Sequence, residues 1–171
     1  MLFEQSTWAL LLGGSTAPAN MQVTGDAVGY TTRANFSSEC AATASKLSVE
    51  HGVVHFSEFI AAGTNLSLAE NDPSCTQSSI PVTADICRIA LSVSTSERSG
   101  FNMEAWLPSN WSGRFLSAGN GGLNGCIKYE DLAYTSALGF SAVGTNNGHN
   151  GTSGESFYNN PDVVEDFAYR A

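Results

Sequence analysis

Residues 113–125 read GRFLSAGNGGLNG. The apolar stretch 114–118 has the character of a short buried strand. It runs into a segment where four of seven residues are glycine: Gly119, Gly121, Gly122 and Gly125. Glycine loses more backbone freedom on folding than any other residue, so such a cluster marks a bend where something approaches the bare main chain. Residues 129–138 (YEDLAYTSAL) then space Leu132, Thr135, Ala137 and Leu138 for a helix. Acidic residues occupy its first turn, and Gly139 supplies a stop. Residues 140–144 (FSAVG) read as another buried strand. Strand, glycine-rich bend, helix and strand make a βαβ unit, which places the chain in the α/β class.

Upstream, residues 86–94 (ICRIALSVS) alternate in the manner of a strand. Residues 101–107 (FNMEAWL) form a second one, stopped by Pro108, and the turn between them predicts an antiparallel hairpin. Residues 53–62 read as extended. Residues 37–47 suit a short helix capped by Ser37 or Ser38, and Asn71-Asp72-Pro73-Ser74 is a turn. Downstream, residues 145–160 form a polar loop rich in Asn and Gly. Pro161 opens a helix in which Val163, Phe167 and Ala171, and also Val164 and Ala168, recur every four residues as a packing stripe. No Gly, Asn or Pro closes that helix before the last residue, a pattern expected of a truncated chain.

With 171 residues the chain can bury one domain-sized core. The formal net charge is -9, with only seven Lys and Arg, which argues against binding a nucleic-acid backbone. No apolar run reaches the length of a membrane span. Within residues 1–19, Trp8 to Leu12 and Ala17-Pro18-Ala19 suggest a degenerate signal peptide, but no basic residue precedes them. The other reading is an unrelated leader, and both leave 20–171 as the folded domain. Cys40, Cys75, Cys87 and Cys126 form an even set without metal-like spacing, and three pairings are open. Asn35, Asn65, Asn110 and Asn150 begin N-x-S/T sequons. Cysteines, sequons and low charge together favour a secreted protein.

Three chemistries could use the glycines. A dinucleotide fingerprint counted from Gly119 needs glycine where Asn124 stands, and FSAVG ends without the acidic residue that would hold a ribose. A phosphate-binding loop would need Gly-Lys-Ser/Thr, which is missing. An oxyanion hole needs main-chain N–H groups aimed at a developing negative oxygen, and α/β-hydrolases build it after the third strand. Residues 119–122 fall at that place. A tight turn beneath a close helix–strand crossing remains the competing reading.

The ordered motifs decide further. Asp85-Ile86-Cys87-Arg88 is followed by Ser94-Thr95-Ser96-Glu97-Arg98-Ser99 and Glu104-Ala105-Trp106-Leu107-Pro108. Then come Trp111-Ser112-Gly113-Arg114-Phe115, Gly119-Asn120-Gly121-Gly122-Leu123 and Val143-Gly144-Thr145-Asn146 with Gly148-His149. Asp166-Phe167-Ala168-Tyr169-Arg170 closes the set. In these motifs residues 85–171 resemble the tannase and feruloyl esterase family of secreted fungal serine esterases, with a weaker likeness back to about Ser38.

The resemblance implies the N-terminal part of an α/β-hydrolase sheet, truncated before the nucleophile elbow, and cleavage of phenolic-acid esters of feruloyl or galloyl type. It implies disulfides Cys40–Cys87 and Cys75–Cys126, each closing a loop of about fifty residues worth on the order of 4 kcal/mol. It assigns backbone oxyanion donation to Gly121, with Gly122 as second choice. The family's serine, acid and histidine lie beyond these residues, as does a lid with a calcium site, so no cofactor is expected in this chain. His51 and His55 read as structural, and His149 either lines the site or fixes its loop. The alternative is a small secreted disulfide-bonded binding module with Trp8, Trp106 and Trp111 as a sugar-stacking face. Trp106 and Trp111 fit core or strand-edge positions better.

Overall fold

A computed structural model describes residues 33–171. The leader 1–19 and Trp8 lie outside the described residues. In chain order the elements are α1 (Arg33–Lys46), β1 (Gly52–Ile60), β2 (Asn65–Ser67), β3 (Ser79–Pro81), β4 (Ile86–Ser94) and β5 (Gly100–Pro108). There follow β6 (Arg114–Ala118), α2 (Tyr129–Ala137), β7 (Phe140–Thr145) and α3 (Pro161–Glu165), which passes into a π-helical turn at Asp166–Arg170. The predicted hairpin and βαβ unit are both present, with β4 and β6 at the expected bounds.

Five strands form one sheet in the order β1-β4-β5-β7-β6. β4 and β5 run antiparallel in continuous register from Ile86↔Pro108 to Ser94↔Gly100. β7 pairs antiparallel with β5 and parallel with β6, from Arg114↔Phe140 to Ala118↔Gly144. An antiparallel pair followed by a parallel crossover, with β7 between β5 and β6, is an α/β-hydrolase type of opening. β6 stands at the sheet edge, and Phe115 on it is 65% exposed.

Strand alternation sends side chains to two faces. On one, Ile86, Trp106 and Ala142 meet Leu132 and Tyr129 of α2, together with Leu68 and Val82 from the β2–β3 region. On the other, Cys87, Ile89 and Leu91 meet Cys40 of α1, with Phe36, Phe59 and Met103 packed around them. Two disulfides fasten these layers. Cys40–Cys87 ties α1 to the interior strand β4, and Cys75–Cys126 ties a 3₁₀ turn at Pro73–Cys75 to the segment before α2.

Two expectations are corrected and one element is added. α1 begins at Arg33, so Ser37 and Ser38 lie inside it, and the Ser38 hydroxyl donates to the Asn35 carbonyl instead of capping. The extra turn is held by tertiary packing, with Phe36 edge-on to Phe59 at 5.9 Å. The β2–β3 ribbon was not expected, because three-residue strands carry no readable period. In the last helix Val163 faces inward, but Val164 and Ala168 are exposed and the fully buried residue is Asp166. Phe167 still packs on His149 and Phe157, but the π turn shifts the repeat away from 3.6 residues, so Val164, Ala168 and Ala171 lie outside the packing stripe.

Candidate active site

The glycine-rich loop leaves β6 at the carboxyl end of the parallel pair β6–β7, the end where open α/β sheets place their ligands. It is braced along its length. The Asn120 side-chain amide donates to the Thr145 carbonyl at the end of β7, 2.9 Å away. Asn124 N–H closes a turn onto the Gly121 carbonyl at 3.2 Å, and Gly125 N–H donates to the Gly151 carbonyl at 2.7 Å. Cys126 N–H donates to the Asn124 side chain at 2.7 Å, and Cys126 itself is anchored by its disulfide.

Against this bracing, the N–H groups of Gly121 and Gly122 have no hydrogen-bond partner among the described residues. Both glycines are exposed, and a Cβ built on Gly119, Gly121 or Gly122 meets nothing within 4 Å. Gly122 has φ +61°, a conformation that L side chains rarely adopt. Gly125 differs. A Cβ there would lie 2.3 Å from the His149 carbonyl oxygen, so this glycine serves a close crossing of two loops. The two readings of the glycine cluster thus divide along the loop: open backbone at 119–122, tight packing at 125.

His149 is buried, with its ring edge-on to Phe157 and Phe167 at 4.8 and 5.6 Å. Its Nε2 lies 3.0 Å from the Leu123 carbonyl oxygen and its Nδ1 3.3 Å from that of Asn147. Both nitrogens face main-chain carbonyls, one on each of the two loops that enclose the ring. His51 and His55 are exposed. Among the described residues no serine hydroxyl is hydrogen-bonded to a histidine, and no group of three or more His, Cys, Asp or Glu could hold a metal ion. Among the described residues no helix is long and apolar enough to cross a membrane.

Behind the loop lies a cavity of about 260 Å³ bounded by Phe56, Glu70, Asn102, Glu104, Tyr129 and Asn146. Its wall carries a buried ionic network. Arg88 Nε and Nη2 donate to the two oxygens of Glu104 at 2.7 and 2.6 Å, Nη1 donates to Glu58 at 3.1 Å, and Nη2 also meets Glu70. Tyr129 hydroxyl and Trp106 Nε1–H complete the Glu104 carboxylate at 2.8 and 2.9 Å. Burial pulls the Arg88 guanidinium down, but Glu104 and then Glu70 outweigh it and hold the charge above its ordinary value. Burial first, and Glu104 second, push the Tyr129 hydroxyl up. Sequence reasoning had not given this network a role. The available signal was a charge at the inward position of each of two otherwise apolar alternating strands.

Trp106 and Trp111 share no face, since Trp106 is wholly buried and Trp111 is 59% exposed with its ring N–H on the Arg114 carbonyl. The sequon residues Asn35, Asn65, Asn110 and Asn150 are exposed.

Residues 87–171 match the family model described as tannase and feruloyl esterase. The chain belongs to the tannase and feruloyl esterase family. Relatives in this family include feruloyl esterase C of Talaromyces stipitatus, 55% identical over 139 residues, which cover 81% of this chain and 26% of the relative. The probable feruloyl esterase B of Aspergillus clavatus is 56% identical over 136 residues, 80% of this chain and 26% of the relative. The crystal structure of feruloyl esterase B from Aspergillus oryzae superposes with a TM-score of 0.77 at 55% identity, covering 79% of this chain and 27% of that one. The chain thus spans about a quarter of the length of the family members it matches.

Proposed function

We propose that this chain forms the opening part of a secreted carboxylic ester hydrolase that cleaves phenolic-acid esters of the feruloyl type, and that its own share of the chemistry is the oxyanion hole. The nucleophilic serine, its histidine and its acid lie outside residues 33–171. In the reaction, the serine oxygen adds to the ester carbonyl as the histidine removes its proton, and the carbonyl oxygen becomes an oxyanion. One backbone N–H of this chain, that of Gly121 with Gly122 as the second choice, takes that negative charge. Collapse expels the alcohol with a proton from the histidine. Water then attacks the acyl-serine and releases the free phenolic acid.

One observation carries the reading. The Gly121 and Gly122 amides are unbonded and have open space beside them, in a loop otherwise tied down at Asn120, Asn124, Gly125 and Cys126. Donors held still before the charge develops stabilise it without reorganisation, which is worth about 3–4 kcal/mol of barrier per donor. Two disulfides suit an oxidising extracellular setting. The relatives named feruloyl esterase supply the substrate class.

The test is a chimera in which residues 33–171 replace the matching segment of Aspergillus oryzae feruloyl esterase B. It is expected to hydrolyse methyl ferulate, while the 171-residue chain alone does not. A folded but inert chimera, or an active isolated chain, would contradict the assignment.

A further inference from the structure

We propose that His149 is a positioning residue: its Nε2–H donates to the Leu123 carbonyl and so holds the turn carrying the Gly121 and Gly122 amides. This rests on the oxyanion reading of that turn. The ring sits on the loop after β7, and Leu123 directly follows Gly122. The Nε2–oxygen distance is 3.0 Å, the shorter of the ring's two contacts. Phe157 and Phe167 set the plane of the ring. The loop that carries it is clamped in turn. Gly148 has φ +77°, and a Cβ there would come within 2.4 Å of the Asp166 side chain, so the main chain entering His149 lies against the buried π turn. A second contact joins the loops at main-chain level, where Gly125 is pressed on the His149 carbonyl.

The chemistry of the pocket supports donation over mere filling. A ring 5% exposed between two phenylalanines would be better replaced by another hydrocarbon unless its polar atoms are bonded. The Leu123 carbonyl is the acceptor that gives the imidazole N–H its place. An orphaned Leu123 carbonyl would let the turn rotate, and with it the direction of the amides immediately before it.

The hypothesis separates two variants of the 171-residue chain. His149→Gln places an amide nitrogen near the Nε2 position and keeps a donor for Leu123. His149→Phe keeps the aromatic packing and removes the donor. Hydrogen exchange at the Asn124, Gly125 and Cys126 amides reads the order of the turn. We expect exchange about tenfold faster in His149→Phe and within about twofold of the parent in His149→Gln. Nitrogen NMR of the parent should show the proton on Nε2. If His149→Phe leaves exchange unchanged while His149→Gln accelerates it, packing alone explains the residue and the proposal is overturned. A proton found on Nδ1 alone would overturn it as well. None of these readouts requires ester hydrolysis, so a failure of the esterase reading remains distinguishable from a failure of the tether.

Discussion

Arg88 and Glu104 face each other across β4 and β5 through two short hydrogen bonds, at 2.7 and 2.6 Å, with both side chains under 5% exposed. The arginine has few routes to water, and the glutamate is saturated by Arg88, Tyr129 and Trp106. Removing one partner of such a pair strands the other charge, while replacing both with apolar groups is far cheaper. Glu104→Ala should therefore lower unfolding free energy by about 3–5 kcal/mol. The double variant Arg88→Met with Glu104→Leu should lose much less than the sum of the single changes. Glu58 and Glu70, about half exposed, should each cost no more than about 1 kcal/mol when changed to Ala. Urea unfolding midpoints check all four.

Tyr129 gives the network a pH signature. Its hydroxyl is held above the ordinary value of 10.0 by burial and by Glu104. The folded chain thus keeps a proton that the unfolded chain releases first. Its contribution to stability is complete below pH 10.0 and is lost as pH rises beyond that value. The melting temperature should fall with alkaline pH, and less steeply in Tyr129→Phe. Phenolate absorbance of the native chain should show a late component well above pH 10.0 that is missing from Tyr129→Phe.

The glycines of the loop should respond differently to alanine. Gly125→Ala drives a Cβ into the His149 carbonyl and is expected to cost about 1–3 kcal/mol. Gly122→Ala meets no atom but must hold φ +61°, at about 1–2 kcal/mol. Gly119→Ala meets no atom and has no positive φ, so thermal unfolding should leave it close to the parent.

The Cys75–Cys126 bond closes a loop of 51 residues at the root of the glycine segment. Its replacement by two serines should cost on the order of 4 kcal/mol. It should also speed hydrogen exchange at Gly125 more than removal of Cys40–Cys87 does, because the latter ties α1 to β4 on the opposite face. Exchange mass spectrometry with both double variants checks the contrast.

Much of the fold was legible because its elements carry strong periods. β4, β5, β6, α2 and β7 each followed from alternation, from helical spacing or from a Pro or Gly stop. The oxyanion candidates followed from one local property, the density of glycine after a strand. What stayed hidden depends on partners far apart in sequence. Nothing in the alternation of β4 gives Arg88 a partner, and its ion pair with Glu104 exists only once β5 lies alongside. Gly125 looked like its neighbours until His149, 24 positions on, came against it. The start of α1 was set by Phe36 on Phe59, and no capping pattern records that contact.

The central claim is that the Gly121 backbone meets the developing oxyanion, and a side chain at that position tests it most directly. A Cβ at Gly121 meets no atom within 4 Å among the described residues, so Gly121→Ala in the feruloyl esterase chimera should fold and melt like the parent. Its kcat on methyl ferulate should nonetheless fall by about a hundredfold, because the carbonyl can no longer settle on the amide. An unchanged melting temperature together with an unchanged kcat would contradict the account.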